Sequence, residues 1–166
     1  MKRNSITGLL IILGLLTTLA ACGGGGGGGA PVPATKAILT LSTSGTGTIS
    51  GIEATIHLPA GVSVKASPYS AGSPTYVTDP GVVVSSLTGT DVSVLASYVT
   101  TTSSSQININ VINLSGFGAG RFATVNCDIN SGSPGATSFS LSNFKAVDGD
   151  GAELGTITGV FTAVFQ

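Results

Sequence analysis

QININVINLSGFGAGRFATVNCDI, Gln106 to Ile129, is the stretch on which the fold turns. Its first half alternates: Ile107, Ile109 and Val111 fall on one side of an extended chain, with Gln106, Asn108 and Asn110 on the other. The second half does the same, with Ala123, Val125, Cys127 and Ile129 on one side and Thr124, Asn126 and Asp128 opposite. Side chains of a strand alternate between faces, so a period of two means one buried and one wet face, as in an antiparallel sandwich. Gly, Ser, Ala and Phe make up most of the turn between the halves, which predicts a hairpin carrying one continuous polar face.

The same pattern recurs on both sides of this stretch. Ala37, Leu39 and Leu41 share a face in Ala37 to Ser42, and GIEATIHL from Gly51 to Leu58 sets Ile52, Ala54, Ile56 and Leu58 against Glu53, Thr55 and His57. Pro59-Ala60-Gly61 turns the chain into Val62 to Val64, because Pro fixes φ and Gly relieves the next bend. Val82 to Ser85 and Val92 to Thr100 add two further strands, with Tyr98 expected in the core. Ala66 to Pro80 holds three prolines and two tyrosines and is expected to be a long surface loop. In Thr137 to Val147, Phe139 and Leu141 are in phase and Phe144 is not, so a bulge near Asn143 is expected. Thr156 to Phe165 closes the domain. Eight or nine short strands with regular turns describe an all-β, jelly-roll-type two-sheet sandwich.

Composition agrees with that class. Charged residues are 8% of the chain and apolar ones 42%, the reverse of a disordered composition. No stretch after the first residues repeats apolar side chains at helical spacing. Four bases, Lys36, Lys65, Arg121 and Lys145, stand against seven acids once Lys2 and Arg3 are set aside. Four scattered cations cannot form the stripe that tracks phosphates, so nucleic acid is excluded as a partner.

The N-terminus has its own logic. Lys2 and Arg3 precede the apolar run Leu9 to Leu16, which is too short to span a bilayer, and the run leads to Leu19-Ala20-Ala21-Cys22. That tetrapeptide resembles the bacterial lipobox, which implies cleavage before Cys22 and lipidation of its thiol. The alternative is an ordinary signal peptide followed by a cysteine. Under the lipoprotein reading, residues 1–21 are the signal peptide, residues 22–36 are the lipidated cysteine and its tether, and residues 37–166 are the folded domain. The seven-glycine run Gly23 to Gly29 and Ala30-Pro31-Val32-Pro33 form a flexible leash with a short stiff end. Several acyl chains anchor stably where one does not. Inner-membrane lipoproteins typically carry Asp after the cysteine, so Gly23 points by analogy to the outer rather than the inner membrane. With Cys22 lipidated, Cys127 has no partner for an intramolecular disulfide, and it is expected to pack as a small hydrophobe, the alternative being a reactive thiol or an intermolecular bridge.

Little in the chain suits catalysis, and none is expected. His57 is the only histidine, and Glu53 lies four residues before it, about 13 Å away along an extended strand and beyond hydrogen-bond reach. Asp148-Gly149-Asp150-Gly151-Ala152-Glu153 offers three acids, whereas calcium takes about six to eight oxygen ligands. Asp148, Asp150 and Glu153 are therefore expected to line a solvated glycine turn, and no metal or other cofactor is expected.

The order of elements carries a resemblance. ISGIEATIHLPAGVSV, then GFGAGRFATVNCDI, a Gly/Pro turn, and SFSLSNFKAVDGDGAEL before a closing strand are similar to the cohesin family and related carbohydrate-binding domains. It covers most of the chain from Ala37 to Gln166. The resemblance implies a role in polysaccharide binding or in docking polysaccharide-degrading proteins through a dockerin-like partner. Two surfaces are candidates. The amide face of Gln106, Asn108, Asn110, Thr124, Asn126 and Asp128 offers donors and acceptors to sugar hydroxyls or a polar protein, or is simply a solvated outer sheet. In cohesins the corresponding strands contact dockerin. Tyr69 and Tyr76, on the proline-stiffened loop, either stack on sugar rings or pin that loop to the sandwich. The competing class is a structural or adhesion lipoprotein of the envelope with no glycan specificity.

Overall fold

The computed structural model describes residues 32–102 and 104–166. Its strands are β1 (Lys36–Ser44), β2 (Ile49–Leu58), β3 (Val62–Ser63), β4 (Ala66–Pro68), β5 (Thr75–Thr78), β6 (Val83–Ser85), β7 (Val92–Thr100), β8 (Ser105–Phe117), β9 (Arg121–Ile129), β10 (Ser140–Val147) and β11 (Thr158–Phe165). One 3₁₀ turn, Ala136–Ser138, is the sole helical element among the described residues. The expected leader, Cys22 and the glycine run lie outside them.

The strands form two antiparallel sheets, an arrangement consistent with a β-sandwich. One has five strands in the order β11-β1-β9-β3, with β6 also pairing β9; the other has six in the order β10-β2-β8-β7-β5-β4. Leu39 and Leu41 of β1 and Ala123, Val125 and Cys127 of β9 belong to the same core as Ile52 and Ile56 of β2 and Ile107, Ile109 and Val111 of β8. Each Ile or Leu buried this way is worth about 1.5–3 kcal/mol in transfer free energy. The unit Pro33–Gln166 holds this core and every described strand, as a self-standing domain must.

The alternation is found where the sequence places it, but the hairpin is not. β8 pairs with β2 and β7, whereas β9 pairs with β1, β3 and β6 in the other sheet. Gly116 (φ +74°) and Gly120 (φ +149°) bend the connection through backbone angles that other residues avoid. Gly120 is then captured by β1. The Thr43 amide donates to the Gly120 carbonyl at 2.8 Å, and the Gly120 amide donates to Thr43 Oγ1 at 3.1 Å. The apolar faces of β8 and β9 therefore meet across the core rather than side by side.

The long loop expected over Ala66 to Pro80 is a second correction. β4 and β5 pair within it, with Ser67 opposite Val77, and β5 adds to β7, with Tyr76 opposite Tyr98. This pair brings the described strands to eleven rather than eight or nine. Pro68 ends an edge strand and Pro74 immediately precedes β5, positions where a missing N–H interrupts no inner ladder. Tyr98 is buried, as expected. The bulge in β10 is also present: the register shifts between Ser142 and Lys145, and Asn143 takes φ +50°.

Candidate functional site

Directly paired residues of an antiparallel sheet point to the same face, so the registers define the outer surface of the six-stranded sheet. One row across it runs Lys145, Glu53, Asn110 and Leu95; the next runs Ser142, Thr55, Asn108, Ser97, Val77 and Ser67. A third runs Ser140, His57, Gln106, Val99 and Thr75. The Tyr69 amide donates to the Thr75 carbonyl at 3.2 Å, which carries that row on to the sheet edge. Gln106, Asn108 and Asn110 thus share one surface with Tyr69.

Thr124, Asn126 and Asp128 do not. They face outward from the five-stranded sheet, on the opposite side of the core, so the six-residue amide face is two separate surfaces. The side chains of Asn126 and Asp128 are also committed locally. Asn126 Nδ2 donates to the Gly81 carbonyl at 2.8 Å, holding the crossover that enters β6, and Asp128 accepts from Lys36 Nζ at 3.3 Å. Thr124 sits between Thr40 and Val84.

The surface that remains is partly preorganised. Thr55 is buried although it faces outward, because Asn143 Nδ2 donates to its hydroxyl at 3.4 Å and that hydroxyl donates to Asn108 Oδ1 at 3.1 Å. His57 Nε2 lies 2.7 Å from Ser142 Oγ, tying β2 to β10, while Glu53 is exposed. Asn110 is exposed and carries no such tie in the network, so its amide is presented to solvent.

An open groove of about 620 Å³ adjoins Asn110. It forms where β5 stops. β5 covers only Ser97–Val99 of β7, so Val92–Ala96 continue without a strand on that side. The chain leaves β5 through Asp79 and Pro80, which wall the groove along with Tyr69, Val77, Leu95 and Ser97. Tyr69 is 75% exposed at its rim. Tyr76 also lines it but points inward, its ring 6.1 Å from that of Tyr98. Of the two candidate tyrosines, one is presented and one helps secure β5.

Leu95, 62% exposed, is the groove residue that the sequence reading missed. A signal for it exists: Val92, Val94, Ala96 and Tyr98 share the inward phase of β7, which leaves Leu95 as an apolar residue on the wet side. Ile112 and Leu114 break phase on β8 in the same way and are exposed.

Two of the three acids of the last turn are occupied. Asp148 Oδ1 accepts from the amides of Asp150 (3.0 Å) and Ala152 (2.9 Å), and Glu153 lies 3.7 Å from Lys145 Nζ. Among the described residues no group of three or more His, Cys, Asp or Glu is placed to hold a metal ion. Cys127 is buried, and its thiol is pushed up to about 12 by that burial and, secondarily, by the Asp128 charge.

The chain matches no family model, no curated protein and no solved structure. The site must be argued from its own chemistry. A flat amide surface running into an apolar groove with an exposed tyrosine can hold an uncharged, hydroxyl-rich chain by side-chain hydrogen bonds and ring stacking.

Proposed function

We propose that this chain is a non-catalytic bacterial lipoprotein whose jelly-roll-type, cohesin-like domain binds polysaccharide on the outer surface of its six-stranded sheet. Cys22 carries the lipid, the glycine run gives the domain reach, and the outer membrane holds the anchor. The observation that carries the reading is the convergence of Asn110, Leu95 and the exposed Tyr69 on one groove, beside Gln106 and Asn108. Low charge suits a neutral glycan better than a polyanion. No nucleic acid, metal or other cofactor takes part.

The test is a glycan array with residues 33–166, run beside a pull-down with a dockerin. Glycan binding that disappears in Tyr69→Ala and in Asn110→Ala supports the proposal. Capture of the dockerin alone moves the surface to protein docking, and silence in both assays leaves the structural or adhesion class. Metabolic labelling with a fatty acid, lost in Cys22→Ser, tests the anchor separately.

A further inference from the structure

The strands that end the two sheets are not alike. A sheet edge exposes unpaired N–H and C=O groups, and natural proteins blunt such edges with short strands, proline, charge or a bulge. β3 and β6, at one end of the five-stranded sheet, have two and three residues. β4 has three and ends in Pro68. β10 is interrupted by the shift at Asn143 and carries Lys145. β11 has none of these devices. It pairs with β1 over eight residues without a register break, and TGVFTAVF contains no charge and no proline.

The backbone groups on its open side follow from its paired side. Lys36 and Gln166 exchange both backbone bonds, at 2.9 and 3.0 Å. Bonding alternates along an antiparallel pair, so Val164, Thr162 and Val160 direct their amides to β1. The amides of Ala163 and Phe161 point to the open edge. Val160 and Val164 are 49% and 55% exposed on the outer face. On the inner face the Phe144 ring of β10 lies against Gly159, so β10 packs over this strand rather than extending its ladder.

We infer that β11 is a self-association edge, which pairs antiparallel with β11 of a second copy about a two-fold axis at Thr162. Centring on Thr162 gives the best fit of sizes. Val160 then faces Val164, and Phe161 faces Ala163, a large side chain against a small one. Centring one residue earlier would set Phe161 against itself. Opposed open-edge groups of Phe161 and Ala163 exchange backbone bonds, and Thr162 meets its own copy at a non-bonded position. The two five-stranded sheets become one, as an isologous interface allows. The amide surface lies on the other sheet and the groove beside β6 and β7, at the end away from β11, so both stay free and the inference does not depend on the glycan reading.

Residues 33–166 are studied by sedimentation velocity up to millimolar concentration, with circular dichroism confirming that each variant is folded. The expected result is a mass twice that of one chain. It falls to the single mass in Thr162→Lys, which opposes two ammonium groups, and returns when that variant is mixed with Thr162→Asp. Cross-linking then reads the register. At a non-bonded pair the Cα atoms lie about 4.5 Å apart, within reach of a disulfide. Thr162→Cys should link to itself under diamide, while Val160→Cys should link only when mixed with Val164→Cys. A single-chain mass at every concentration overturns the inference. So does a dimer indifferent to Thr162→Lys, or self-linking by Val160→Cys.

Discussion

Replacing Asn143 with valine and, separately, with glycine isolates the backbone cost of the bulge in β10. Ser142 pairs with Thr55 and Lys145 with Glu53, so Asn143 and Phe144 together oppose the single residue Ala54. The extra residue is accommodated by the left-handed turn of Asn143, the one non-glycine residue with positive φ among those described. Left-handed backbone costs an L-residue about 1–2 kcal/mol, less for asparagine, and the β-branch of valine puts it at the upper end. Both variants lose the 3.4 Å bond from Asn143 to Thr55. At that length the bond is worth about 0.5 kcal/mol, and Thr55 still donates to Asn108. Glycine accepts the angle freely but adds about 0.5 kcal/mol of unfolded-chain entropy. Asn143→Val should therefore be destabilised by about 2 kcal/mol and Asn143→Gly by about 1 kcal/mol or less. Urea unfolding measures the difference, with unchanged slopes showing that the folded state is the same. If the valine variant unfolds at the same urea concentration as the glycine variant, the bulge does not rest on the left-handed angle, and the account of β10 fails.

Three further outcomes follow from the geometry. Tyr69→Ala should leave stability within about 0.5 kcal/mol of the parent, since its ring is exposed, whereas Tyr76→Ala should cost about 1–3 kcal/mol by stripping the contact with Tyr98; thermal unfolding of the two variants checks the contrast. In residues 33–166, Cys127 should resist alkylation until the domain unfolds. Its thiol proton is held to about pH 12 when folded and to about 9 when unfolded, so above pH 9 the unfolded chain binds fewer protons and stability falls as pH rises toward 12. Alkylation rates across a urea series, and unfolding midpoints across that pH window, test both halves. Asp148→Ala should cost about 1 kcal/mol by releasing two backbone amides, and added calcium should not raise the unfolding temperature of the parent; differential scanning calorimetry with and without calcium measures both.

Phase along a strand is a local property, and it was legible. Ile52, Ala54, Ile56 and Leu58 of β2, Ile107, Ile109 and Val111 of β8, and Ala123, Val125 and Cys127 of β9 are buried as their alternation marked them, and the misfit of Phe144 located the bulge within a residue. Phe122, Thr55 and Asn113 are buried out of that pattern. Prolines misled over Ala66 to Pro80 because they were weighed as breakers. In the structure they stand at strand ends and on an edge, where no ladder bond is lost. The candidate site was legible by halves: Gln106, Asn108 and Asn110 share the surface with Tyr69, while Thr124, Asn126 and Asp128 lie on the far side of the core.

That division has one physical origin. Alternating polarity says that a strand has a wet face and a dry face, and it says so from neighbouring residues alone. It does not say which strand lies alongside, because pairing is decided by backbone groups far apart in sequence. Thr43 holding Gly120 is such a decision: residues 77 positions apart draw β9 to β1 and away from β8. The amino-acid sequence by itself determined that the described residues are nearly all β and which side of most strands is buried. Only the tertiary structure decided which wet faces share a surface, and hence that amides, a tyrosine and a groove lie together.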